Sequence, residues 1–169
     1  MTLYLDTSAL VKLYVAEAGS ATVQAWIASA AQLVTVRVTY AETRATLARM
    51  RRTRDLSAPD FQRAVGWLEG DWPRYNVVEC SEAVVHRAGV LAERHALRGY
   101  DAVQLGAALE ARPDVGEYLF ASFDGRLNDA AVREGLGLAP HPTDVLRERP
   151  SRAYRPGTRP RVAASGRSR

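Results

Sequence analysis

The first residues of the chain set its frame. Leu3-Tyr4-Leu5 is an apolar run that stops abruptly at Asp6; Thr7-Ser8 then lead into Ala9-Leu10-Val11-Lys12-Leu13-Tyr14-Val15, an amphipathic helical pattern. A short apolar run ahead of a helix marks a strand buried on both faces, the kind found in parallel sheets covered by helices. Asp6 falls at the strand-to-helix junction, and open α/β sheets bind ligands at the carboxyl ends of their strands. The rest of the chain decides whether other acids reach that edge.

Strand and helix patterns alternate to residue 139. The β-branched stretch 33–38 predicts a second strand, 75–80 a third, 118–123 the strongest of all, and 136–139 a weak last one. Between them lie helical patterns at 20–31, from Thr39 to about Arg54, from Ser57 to Trp72, from Glu82 to about Leu97, from Asp101 onward, and at 125–131. Such alternation predicts an α/β fold, a three-layer α/β/α sandwich with a central parallel sheet.

On that plan Asp6 and Asp124 end strands, while Glu42 and Asp101 fall in the first turns of helices, so four acids converge on one edge. Each has an ordinary explanation alone. Asp6 suits a helix cap, Thr39-x-x-Glu42 a capping box, Asp101 a helix-start acid and Asp124-Gly125 a turn. Together they make a cluster of like charges that a divalent cation would relieve. Hard oxygen ligands favour Mg²⁺, with Mn²⁺ as the alternative, and such an ion activates water against a phosphodiester. His86, His95, His141 and Cys80 lack zinc-like spacing, and Ser8 and Ser122 have no evident base beside them in sequence.

Four stretches carry a resemblance. Leu5-Asp6-Thr7-Ser8-Ala9-Leu10, Tyr40-Ala41-Glu42, Tyr100-Asp101-Ala102-Val103-Gln104-Leu105 and Ser122-Phe123-Asp124-Gly125-Arg126-Leu127 resemble, in order and spacing, the acidic motifs of PIN-domain nucleases, most closely VapC-type toxins. The resemblance spans about residues 2–140. It implies a PIN-like fold and a Mg²⁺-dependent endoribonuclease, dimeric and restrained by a cognate antitoxin. It also assigns roles. Asp6 and Asp101 are the principal metal ligands, Asp124 completes the pocket, and Glu42 is a further ligand or positions water. Thr7 and Ser122 hydrogen-bond to the acids from behind. Competing readings are a PIN-like RNA-processing or DNA-repair nuclease without an antitoxin, or a non-catalytic RNA-binding module. A haloacid-dehalogenase phosphatase is disfavoured, because Ser8 stands where its second aspartate is needed.

Composition adds the partners. The net charge of +4 is unevenly placed: six arginines and no acid follow Pro150, so the body before it is slightly acidic. The chain divides into a nuclease domain, 1–147, and an Arg/Pro-rich tail, 148–169, expected to be disordered. The tail either adds affinity for RNA phosphates or is a solvated extension. Arg44, Arg49, Arg51 and Arg52 continue the helix that carries Glu42 and are candidates for RNA binding, against the alternative of a solvated helix face. Trp26, Trp67 and Trp72 have apolar helical neighbours and read as core or interface. A single cysteine, no apolar run of membrane-spanning length and no signal-peptide pattern predict a cytoplasmic protein.

Overall fold

The structure, a computed structural model, describes residues 1–140. The 147/148 boundary and the basic tail lie outside the described residues. Five strands form one parallel sheet, β1 (Thr2–Leu5), β2 (Gln32–Val36), β3 (Asn76–Val78), β4 (Tyr118–Ala121) and β5 (Gly137–Leu138), in the order β3-β2-β1-β4-β5. The strand that ends at Asp6 is therefore central. It pairs with β4 so that Leu5 stands opposite Ala121, and with β2 so that Tyr4 stands opposite Val34.

Side-chain alternation along the strands divides the interior in two. Leu3, Leu5, Leu33 and Ala121 face a core with Val23 and Trp26 of α2 (Ser20–Ser29), Leu47 of α3 (Val38–Arg52), and Ala64 and Leu68 of α4 (Ala58–Asp71). Tyr4, Val34, Val36 and Phe120 face the other. There they meet Val84 and Leu91 of α5 (Glu82–His95), Leu105 of α6 (Gly99–Glu110) and Leu127 of α7 (Gly125–Arg133). This is the expected sandwich. Trp26 is buried, and Trp67 and Trp72 pack against the same core, as their apolar neighbours suggested.

The strands are shorter than their apolar runs. β2 ends at Val36 and β4 at Ala121, each two residues early, because the chain must leave the ladder to place hydroxyls and carboxylates at the edge. The helix predicted over 9–15 is a single turn, α1 (Thr7–Leu10), tightened into a 3-10 turn over Val11–Leu13. Gly19 caps α2 at φ +91°, with space for a Cβ taken by Phe123 Cε1 only 2.5 Å away. Only glycine meets both demands. Among the described residues no helix is long and apolar enough to cross a membrane.

Candidate active site

The pairing of Leu5 with Ala121 brings Asp6 beside Ser122 at the carboxyl edge. Asp6 is 4% exposed and caps α1, accepting from the Ala9 amide at 2.8 Å. Ser8 Oγ lies 2.8 and 3.0 Å from its two carboxylate oxygens, and Ser122 Oγ donates to Oδ2 at 2.8 Å. Both serines are held in turn: the Phe123 amide donates to Ser8 Oγ at 2.8 Å and the Asp124 amide to Ser122 Oγ at 2.9 Å. Hydroxyl groups thus stitch the ends of β1 and β4 together around one buried carboxylate.

Glu42 reaches the same place from α3. Its Oε2 accepts from Thr7 Oγ1 at 2.5 Å and from Gln104 Nε2 at 2.9 Å. The capping box is corrected here. Because β2 ends early, α3 starts at Val38 after Arg37, whose side chain makes no cap bond, and Glu42 lies in the second turn. Thr39 is buried within the helix and meets Thr35 Oγ1 at 2.9 Å and Gln104 Nε2 at 3.0 Å. Gln104 is the hub. Its Oε1 accepts from the buried Tyr4 hydroxyl at 3.0 Å, which turns Nε2 towards Thr7, Thr39 and Glu42.

Asp101, in the first turn of α6, and Asp124, the N-cap of α7, complete the wall. Asp124 accepts from the Leu127 amide at 3.1 Å. All four acids line one cleft of about 670 Å³, with Thr7, Ser8 and Gln104. Burial pushes Asp6 up to about 6 and the charge of Glu42 adds to it, against the pull of the Ala9, Ser8 and Ser122 hydrogen bonds. Burial also raises Asp101, reinforced by Asp124 and Glu42 and opposed by Arg98. The carboxylates feel one another, and Lys12, on the cleft wall, is turned to Glu17 at 2.9 Å. Among the described residues no three His, Cys, Asp or Glu side chains make a closed cage for a metal. The donor set is all hard oxygen with room for water, which fits an ion such as Mg²⁺ that retains much of its hydration, and does not fit zinc.

Of the four candidate arginines only Arg49 lines this cleft. Arg44 is bound to Glu69 at 2.7 Å and to the Tyr40 hydroxyl at 2.8 Å; Arg51 and Arg52 are exposed at the end of α3. Ser8, Thr39 and Gln104 were not foreseen in these roles. The available signal for Gln104 was its position one turn beyond Asp101 on a helix whose neighbouring residues are apolar. A polar side chain there requires buried partners.

A sheet of this order, with acids from four segments at its carboxyl edge, defines the class of protein, and the sequence agrees: residues 3–133 match the PIN domain family. Ribonuclease VapC45 of Mycobacterium tuberculosis (strain CDC 1551 / Oshkosh) is 38% identical over 141 residues, 83% of this chain and 96% of that protein. Ribonuclease VapC49 of strain ATCC 25618 / H37Rv of the same organism is 38% identical over the same coverage. The crystal structure of FitAcB from Neisseria gonorrhoeae shares the fold, with a TM-score of 0.61 at 18% identity, over 82% of this chain and 96% of that one. The chain belongs to the PIN-domain family, among the VapC-type ribonucleases.

Proposed function

We propose that this chain is an endoribonuclease and the toxin of a toxin–antitoxin pair, with Asp6, Glu42, Asp101 and Asp124 holding a divalent ion, Mg²⁺ first and Mn²⁺ second. One observation carries the reading: a buried, triply hydrogen-bonded Asp6 shares its cleft with three further carboxylates. When bound, the ion activates water and offsets charge on the phosphodiester. The protein's part is positioning. Ser8, Ser122 and the Ala9 amide hold the Asp6 oxygens towards the cleft, Thr7 and Gln104 hold Glu42, and both sets are anchored in the sheet or its adjoining helices. Arg49 supplies positive charge for the RNA backbone. RNA is the substrate, a cognate antitoxin the restraint, and the active form a homodimer in the cytoplasm, checked by light scattering. Total cellular RNA incubated with the purified chain tests the enzymatic reading. Discrete fragments are expected with Mg²⁺ or Mn²⁺, and none with EDTA or with Asp101→Asn. A folded, antitoxin-free chain that cleaves nothing under either metal refutes it.

A further inference from the structure

The acidic cleft does not end at Asp101 and Asp124. Those two residues and Phe123 also line an adjoining groove of about 510 Å³, together with Arg98, just before α6, and Arg126, at the start of α7. Arg49 lines the first space and not the second; Arg98 and Arg126 line the second and not the first. Six of the fourteen arginines among the described residues are held in ion pairs. Arg37, Arg44, Arg63, Arg74, Arg87 and Arg94 each pair with a carboxylate. Arg98 and Arg126 are exposed and have no carboxylate within 4.0 Å among the described residues.

A pair of guanidinium groups outside any ion pair, beside an acid cluster, has a physical use. A polyanion crossing four carboxylates meets repulsion, and cations on the approach offset it. Guanidinium forks also match phosphate oxygens in a way ammonium does not. We propose that this groove is a binding subsite for the backbone of single-stranded RNA, in which Arg98 and Arg126 take phosphates flanking the one at the acids. The strand then runs from the groove, past Asp101 and Asp124, towards Arg49. This rests on the ribonuclease reading and adds the route of the substrate.

The test is binding without cleavage. The affinity of the full chain for a short fluorescein-labelled single-stranded RNA of mixed sequence is measured in EDTA over a series of salt concentrations. Each phosphate contact on a single strand contributes about 0.7 to the slope of log affinity against log salt. The double variant Arg98→Ala/Arg126→Ala is expected to lose about 1.4 of that slope and to bind more weakly. Arg98→Lys/Arg126→Lys keeps the charge and most of the slope. Arg133→Ala, an exposed arginine at the far end of α7, changes neither. An unaltered slope in the folded alanine double variant, with the unaltered chain binding RNA, overturns the groove and leaves the ribonuclease reading standing. An unaltered chain that neither binds the RNA in EDTA nor cleaves with Mg²⁺ overturns both.

Discussion

Asp6 is a carboxylate kept where charge is costly. Its carboxyl group titrates at about 6 instead of the usual 3.8, so the folded protein holds its proton more tightly than the unfolded chain does. Between those values the native state binds more protons, and stability falls as pH rises. In chelator, lowering the pH from 7 to 5 is therefore expected to raise this residue's contribution by about 1 kcal/mol, and Asp6→Asn is expected to flatten that part of the profile. Denaturant midpoints of both proteins across this range check it; a wild-type midpoint with no Asp6-dependent rise on acidification contradicts the burial argument. Gln104 makes a second residue-scale case. Gln104→Leu removes the donor to Glu42 and leaves the Tyr4 hydroxyl without its acceptor. Unfolding free energy is expected to drop by about 1–3 kcal/mol, and cleavage by about tenfold or more as Glu42 loses its aim. Thermal melts and initial rates separate the two effects, and wild-type rates would deny Gln104 its positioning role.

At the level of elements, the sequence was readable wherever one residue's chemistry fixed its surroundings. The apolar runs leading to Asp6 and Asp124 marked strands and the edge at which they end, and alternating patterns gave the layers. Boundaries were less legible, because hydroxyls that look like caps were recruited elsewhere: Thr39 meets Gln104 and Thr35 inside α3 rather than starting it. The supporting groups were hidden for a related reason. Ser8 meets Phe123 across 115 positions and Gln104 meets Thr7 across 97, distances over which no local pattern reports. Arg44 shows the converse, a charge that reads as a free helix face until Glu69 of the next helix is folded against it. Gly19 belongs to this scale too, since α2 can begin there only if Phe123 passes close by. Gly19→Ala is expected to destabilise by about 2 kcal/mol or more, from the positive φ and the displaced ring. Chemical denaturation measures this; a loss under about 0.5 kcal/mol would mean that the ring and the turn yield freely.

The whole molecule separates its tasks. Two cores, one on each face of the sheet, leave the carboxyl edge as the place where polar groups collect. In the sequence, charge is divided as well, with six arginines and no acid beyond Pro150 and four acids of the body sharing the cleft. The central strand β1 is the first in the chain, yet its neighbour β4 is the last but one. Asp6 waits for Ser122, 116 residues later, before its carboxylate is secured. A nascent chain therefore carries every acid but Asp124 while still lacking the strand that locks the pocket. Contacts of such long range form late and slowly. A chain cut short before β4 is therefore expected to leave RNA intact, which incubation of such a truncation with total RNA and Mg²⁺ checks; cleavage by it would mean that the pocket forms without Ser122.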